Sequence, residues 1–305
     1  MDPLDVINVH GDSTFVTMRE CTDRGRPIAF CTPDDLFVID GVAWARCTVL
    51  TVHADAPHFR GLVAADEPLS AFGVVWMRKD PPFDMAYVLA TYVLDLAPPA
   101  TLVVNDPIGL KTWNEKLFAM RFPAFHPHVL LSKDKARLRK FVEDEVGKAV
   151  LKPWDGNGGR GVIVVEKGDK NLPALIELIT ANGRDFVLAQ RHVPGITQGD
   201  KRILLFDGEP VAAVMRVPSD VDHRGNIHVG ARVEPTELTP REHEICAALG
   251  PILREHGLLF VGIDVIDGYL TEINVTSPTG IRAIKRVGGP DLAIAVWDAI
   301  EAKRA

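Results

Sequence analysis

The stretch from Lys148 to Glu166, KAVLKPWDGNGGRGVIVVE, constrains this chain more than any other. Gly156, Gly158 and Gly161 fall in the spacing G-x-G-x-x-G. In a dinucleotide site that spacing stands between a strand and a helix opening onto the pyrophosphate. Here the glycines are followed by Val162, Ile163, Val164 and Val165. Such a β-branched run favours a strand. The mononucleotide loop is excluded too, because Val162 and Ile163 stand where a Lys and a Ser or Thr are required. The tract therefore reads as the tip of a β-hairpin, and the oxidoreductase reading falls away.

The rest of the chain must accommodate that hairpin. Asp12-Ser13 caps a helix through Phe15 and Met18 to a stop at Gly25. PIAFCT, FGVVWMR and TLVVND read as strands, DMAYVLATYVLDLA as a helix, and Asp40-Gly41 as the turn of a hairpin. This alternation predicts an α/β layer with a parallel sheet over the first hundred residues. A second region starts near Ile108, with a helix around NEKLFAMRF, a short strand HVLL, a charged helix from Ser132 to Val146, the glycine hairpin, and the strand FVLAQRHV. A third carries hairpins at Asp207-Gly208 and Asp267-Gly268, a helix from Pro240 to His256, and the terminal helix DLAIAVWDAIEA. The expected division is 1–107, 108–193 and 194–305. The polar stretch PSDVDHRGNIHVGARVEP is too hydrophilic for a core and suits a mobile surface loop or lid.

Composition removes other classes. With 47% hydrophobic and 25% charged residues, the 305-residue chain is ordinary for a folded protein of two or three subdomains. Its net charge of -7 argues against nucleic acid or an anionic membrane surface as the main partner. Cys21, Cys31, Cys47 and Cys246 form no CxxC pair, and their scatter predicts reduced thiols in a cytoplasmic protein. His126 and His128 form an HxH without a third ligand in view, which is too little for zinc. No apolar run is long enough to cross a bilayer.

Two features carry chemistry. A glycine-rich hairpin tip lays backbone N–H groups over a polyphosphate without side chains in the way, and Lys152 precedes it with an ammonium. The alternative is a flexible hairpin with a surface lysine. In GIDVIDGYLTEINV, Glu272 and Asn274 are two apart on a strand and share a face, while Asp264 lies across a tight turn. Two carboxylates and an amide oxygen suit Mg²⁺ bridging nucleotide phosphates. The alternative is a solvated strand face with a turn-capping Asp.

Together these features resemble the ATP-grasp family, in which ATP lies between two α+β subdomains under a glycine-rich hairpin and over a metal-binding strand pair. MRKDPPFD from Met77, NEKLFAMRF from Asn114, LKPWDGNGG from Leu151, GDKRILLFDGEPV from Gly199 and LTEINVTSPTGIR from Leu270 are similar to the prokaryotic glutathione synthetase pattern. They occur in the family order and span nearly the whole chain.

The resemblance implies an α/β N-terminal pre-ATP-grasp domain followed by an ATP-grasp fold. It implies ATP-dependent ligation of γ-glutamylcysteine to glycine through an acyl phosphate, with Mg²⁺ or alternatively Mn²⁺. Lys116 and Lys152 match the ATP-phosphate lysines; Gly156, Gly158, Gly159 and Gly161 match the loop closing over the phosphates. Gln190, His192 and Val193 match the linker reading the adenine edge, and Asp200 a ribose contact or a simple turn residue. Arg202 is expected at the transferred phosphate, and Asp264, Glu272 and Asn274 at the metal. Arg202, Arg232 and Lys152 form the expected catalytic set. Asp12, Ser13, Arg78, Lys79, Arg232, Ser277, Thr279, Gly280 and Arg282 are the candidates for holding a carboxylate-rich peptide, or ordinary ion pairs and caps. The loop from Ser219 to Arg232 is expected to close over the acyl phosphate. A homo-oligomer, commonly a tetramer, is also implied. The rivals are an ATP-grasp ligase for a different acid or amine, and a catalytically impaired ATP-binding homologue.

The chain departs from the pattern in two places. The family's first subdomain opens with a strand leading into an MDP-like turn, whereas this sequence starts at Met1-Asp2-Pro3. A misassigned or truncated start is the expectation, since loss of a central strand exposes apolar neighbours and unpaired backbone. GARVEP keeps Arg232 but has Val233 where the family has a glycine, which stiffens that segment.

Overall fold

The computed structural model describes residues 1–61, 63–156, 158–218 and 231–304. Most of the polar stretch expected to form a lid, 219–230, lies outside the described residues.

The chain begins with α1 (Ser13–Asp23), then β1 (Ile28–Phe30), β2 (Leu36–Ile39), β3 (Val42–Val52), β4 (Phe59–Gly61), β5 (Ala65–Pro68) and β6 (Val74–Trp76). The helix α2 (Met85–Leu94), the strand β7 (Leu102–Val104) and α3 (Pro107–Thr112) follow. The eleven-residue β3 pairs antiparallel with β1, β2, β4 and β5. The parallel pairing expected for the first hundred residues is confined to β6 and β7. The reason is the hairpin at Asp40-Gly41, whose left-handed φ values of 50° and 79° fold β2 directly back on β3.

Among the described residues, β1 pairs only with β3 and β6 only with β7. The two strands line a common apolar cavity of about 930 Å³, together with Met18, Leu69 and Trp297. Arg78 lies at its wall, buried, over the rings of Trp76 and Phe260 at 5.6 and 5.5 Å, with Nη1 lacking an acceptor.

The middle of the chain builds β8 (Val129–Ser132), α4 (Lys135–Lys140), β9 (Lys148–Pro153), β10 (Ile163–Glu166), α5 (Leu172–Ile179) and β11 (Val187–Arg191). Their sheet runs β10-β9-β11-β8. One face packs Ala149, Leu151, Val165, Val187 and Ala189 against Leu138, Phe141, Leu172 and Ile176. Two expected helices differ. NEKLFAMRF forms only a 3-10 turn at Phe118–Arg121, because Asn114 spends its side chain on the N–H groups of Lys116 and Leu117. The helix expected from Ser132 starts after the Asp134 cap and widens to π geometry over Phe141–Val146.

The last region holds β12 (Asp200–Phe206), β13 (Glu209–Val217), β14 (Arg232–Pro235), α6 (Pro240–Glu255), β15 (Phe260–Ile266), β16 (Tyr269–Asn274), α7 (Ile281–Arg286) and α8 (Leu292–Arg304). The sheet order is β14-β13-β12-β15-β16, all antiparallel. Asp207-Gly208 and Asp267-Gly268 turn with left-handed φ at both residues, as the sequence predicts. The central strands are covered on both faces. Ile203, Leu205, Ile263 and Val265 share a core with Leu69, Tyr87, Leu110 and Trp113, while Leu204 and Phe206 pack against Val104, α7 and α8. The N-terminal and last regions are thus fused by shared cores, and the middle sheet keeps a core of its own.

Candidate functional site

A cleft of about 910 Å³ separates the middle sheet from the last one. Strand alternation decides which side chains enter it. On β9, Ala149 and Leu151 face the core, so Val150 and Lys152 face the cleft. After the glycine tip, Val162 and Val164 line the cleft while Val165 packs inward. The strands expected on both sides of the glycines are present, with Ile163 opposite Leu151. Gly158, Gly159 and Gly161 take φ of 59°, 76° and 70°, a region that favours glycine. A Cβ at Gly161 would also stand 2.9 Å from Pro153 Cγ.

The floor is the β12–β16 sheet. Arg202 on β12 stands directly opposite Asp264 on β15, Asp200 opposite Arg216 on β13, and Asp264 opposite Glu272 on β16. One face therefore carries charge on four strands, two Arg–Asp pairs and, on β16, a second carboxylate beside Asp264. Arg202 Nη2 reaches Asp264 Oδ2 at 2.9 Å while its Nε pairs with Oδ1 of the same carboxylate. Arg216 Nη2 lies 2.9 Å from Asp264 Oδ1 and also pairs with Asp200. Burial alone would push the Asp264 carboxyl up, but the Arg202 and Arg216 guanidiniums outweigh it and hold it well below the usual carboxylate range. Asp200 moves the other way: burial pushes it up to about 6, with Arg216 opposing.

A bulge shapes β16. Asp264 pairs with Glu272 but Val265 with Leu270, so Thr271 is the additional residue. Leu270 and Ile273 both enter the core as a result, and Thr271 and Glu272 both reach the cleft. Glu272 Oε1 lies 3.8 Å from Lys116 Nζ and 3.7 Å from Lys152 Nζ. Lys116 also donates to the Gly156 carbonyl and Lys152 to Gln190 Oε1 at 3.2 Å, so both ammonium groups are fixed at the base of the glycine tip. Asn274 Nδ2 donates to the Gly262 carbonyl at 3.1 Å and to Asp264 Oδ2 at 3.3 Å, which leaves its Oδ1 as an acceptor.

Lys116, Lys152, Gly156, Gly158, Gly159, Gln190, His192, Val193, Asp200, Asp264 and Glu272 line one cleft, as a nucleotide site requires. Gly161 shapes the hairpin from behind, and Arg202 and Asn274 reach the cleft through Asp264. Two buried polar atoms here have no hydrogen-bond partner, Asp200 Oδ1 and Arg216 Nε. Such atoms are costly unless a ligand satisfies them. Four cations, Lys116, Lys152, Arg202 and Arg216, face the carboxylates of Asp200, Asp264 and Glu272, a set suited to a polyphosphate that arrives with a divalent cation. The hard oxygen donors of Asp264, Glu272 and Asn274 on adjacent strands fit such a cation.

The peptide-binding candidates do not converge in this way. Asp12 is spent as the α1 cap, accepting from Phe15 N at 2.7 Å. Ser13 Oγ accepts from Gly280 N and Ile281 N. Arg78 donates to the Pro278 carbonyl and to Thr14 Oγ1, and Arg202 Nη1 to the Thr279 carbonyl. These side chains hold the backbone of 278–281, the run that contains Thr279 and Gly280 and follows Ser277. Lys79 pairs with Asp2 at 2.8 Å, and Arg282 donates to the Val9 carbonyl at 2.8 Å. Arg232 lies on the exposed edge strand β14, paired with Glu234 and outside the cleft. His126 bonds the Pro127 carbonyl and His128 faces Glu145, so the HxH pair does not converge.

Sequence reasoning missed Arg216 and the apolar cleft walls Val150, Val164, Ile196 and Ile266. Alternation on β9 and β10 marks Val150 and Val164, since their neighbours are the core residues. Nothing local marks Arg216, which becomes informative only once the β12–β13 register places it opposite Asp200.

Residues 1–111 match the family described as prokaryotic glutathione synthetase, N-terminal domain, and residues 115–289 match prokaryotic glutathione synthetase, ATP-grasp domain. A glutathione synthetase of Bradyrhizobium diazoefficiens is 49% identical over 307 residues, covering 100% of this chain and 97% of that protein. One of Agrobacterium fabrum is 46% identical over 305 residues, covering 100% and 95%. The fold is shared with D-cycloserine synthetase DcsG, at a TM-score of 0.61 and 17% identity over 78% of this chain and 86% of that one. It is shared as well with a peptide-associated (RiPP) ATP-grasp ligase of Chryseobacterium gregarium, at 0.62 and 14% over 98% and 95%. The chain belongs to the prokaryotic glutathione synthetase family, with that family's N-terminal domain followed by its ATP-grasp domain.

Proposed function

We propose that the protein is an ATP-dependent ligase that joins γ-glutamylcysteine to glycine, giving glutathione, ADP and phosphate. The observation that carries the reading is Glu272 placed between Lys116 and Lys152 at the base of the glycine hairpin and opposite Asp264. The full-length relatives named glutathione synthetase support the choice of acid and amine.

In this reading the cysteinyl carboxylate attacks the γ-phosphorus of ATP, forming a C–O–P bond as the bond to ADP breaks. The glycine amine then attacks the acyl carbon, phosphate leaves with the former carboxylate oxygen, and the amine proton passes to solvent. No side-chain nucleophile is needed; positioning and charge neutralisation carry the rate. Lys116, Lys152 and the backbone of 156–161 bind the phosphates. Gln190, His192 and Val193 face the adenine, and Val150, Val164, Ile196 and Ile266 wall it. Asp200, through its unpartnered Oδ1, accepts from the ribose. Arg202 and Arg216 neutralise the transferred phosphoryl group. Asp264, Glu272 and Asn274 would hold Mg²⁺ or Mn²⁺, which when bound offsets phosphate charge. The segment 277–282 presents the peptide substrate, with Ser13 and Arg78 fixing its backbone. We extend the reading to a cytoplasmic homo-oligomer, and to regions bounded at 107 and 193.

The test is ADP release with γ-glutamylcysteine and glycine, each omitted in turn and each replaced by other dipeptides and amines. Release that requires both is expected. Release with another pair, or ATP binding without release, overturns the choice of substrates.

A further inference from the structure

The residue before Lys116 is a carboxylate that the cleft does not expose. Glu115 keeps part of its surface open, yet its carboxylate is enclosed enough that burial pushes it above the ordinary range. Enclosing a carboxylate is costly unless it is well bonded. Its Oε1 accepts from Thr276 Oγ1 at 2.7 Å, and its backbone carbonyl accepts from Ile273 N at 2.8 Å. One residue thus grips the end of β16 at two points, three residues apart in sequence. The two points, Ile273 inside β16 and Thr276 just past it, flank Asn274 and precede the run 277–282. On its other side, Lys116 reaches Glu272 and the Gly156 carbonyl. Glu115, Lys116, Gly156 and Thr276 also line one small cavity beside the cleft. The opposite edge of the same segment is held by Asn105, whose Nδ2 donates to the Val275 carbonyl at 2.7 Å.

We infer that Glu115, through its hydrogen bond with Thr276, is a positioning residue that holds the Lys116 ammonium in register with the β16 end. The geometry assigns it no contact with substrate. Its effect passes through Lys116, so it is read in nucleotide affinity. The inference rests on the nucleotide-binding part of the proposed function, and not on which acid and amine are joined.

The test is a double-mutant cycle on the full chain with Glu115→Ala and Thr276→Val, read by the Kd for ATP with Mg²⁺ and by melting temperature. Each single variant should raise Kd about tenfold, and the double variant no further than the worse single, since both remove the same bond. Glu115→Gln and Thr276→Ser, which keep a hydrogen bond, should return Kd to within about threefold of the parent. If Glu115→Ala does not fold, the Thr276→Val and Thr276→Ser pair carries the comparison alone. Kd within twofold of the parent in the folded truncations, or losses that multiply in the double variant, overturns the inference. So does a fall in melting temperature with no change in Kd. Because binding is measured without the acid or amine, failure of ligation in the parent leaves this test intact.

Discussion

Arg202 and Asp264 face each other across β12 and β15 as a two-pronged pair inside the sheet, with Arg216 sharing the same carboxylate. A buried carboxylate held by two guanidiniums loses strongly when one is removed, because the remaining charge stays enclosed. Arg202→Met is expected to destabilise the protein by about 3 kcal/mol, read by urea denaturation. Arg202→Met with Asp264→Leu should recover part of that loss while activity stays absent. A double variant no more stable than the single would refute the pairing argument.

Glu272 carries a different burden. It is half-buried between two ammonium groups and anchors no core side chain. Glu272→Gln keeps the shape, so its stability should change by less than about 1 kcal/mol, whereas kcat should fall about 100-fold or more. Near-normal turnover in Glu272→Ala would remove it from the phosphate and metal assignment.

Asp12 separates a cap from a ligand. If its carboxylate only closes the start of α1, Asp12→Ala costs about 1 kcal/mol and Asp12→Ser restores most of it. KM for the acid substrate should be unchanged in both. A raised KM in Asp12→Ser at normal stability would return Asp12 to the substrate side.

The cysteines give the alkaline behaviour. Burial pushes the Cys21 thiol up to about 11 and Cys246 up to about 12, from 9.0. In the unfolded chain these thiols lose their protons near pH 9, whereas the folded state retains them. Stability should therefore fall as pH rises from about 9 to 11. A Cys21→Ala and Cys246→Ala double variant should show a shallower decline in urea denaturation across that window, and an unchanged slope would contradict it.

The sequence makes the glycine hairpin, the three Asp-Gly turns and cleft residues such as Lys152 and Glu272 legible, because each rests on local chemistry. Val162 to Val165 fixes a strand, and Asp-Gly admits the φ values a two-residue turn needs. The parallel sheet is over-read because pairing direction depends on which strands meet, and of the four partners β3 collects, local turn chemistry names only β2. The partners of the polar candidates are hidden for a related reason. Ser13 and Arg78, candidates for the peptide, and Arg202, expected at the phosphate, each bond a backbone group of 278–281, far away in sequence. Arg216 is missed because only sheet register gives it neighbours.

Thr271 sets the phase of β16. By adding one residue between Leu270 and Glu272, it lets two core side chains sit three apart and turns Glu272 and Asn274 to the cleft together. Strict alternation over the same residues would put Leu270 and Glu272 on one face and swing either the carboxylate or the core leucine to the wrong side. The strand therefore behaves like a reading frame. Substitutions along it change the strength of the site, whereas loss of the bulge with every residue kept would shift the frame on one side of it.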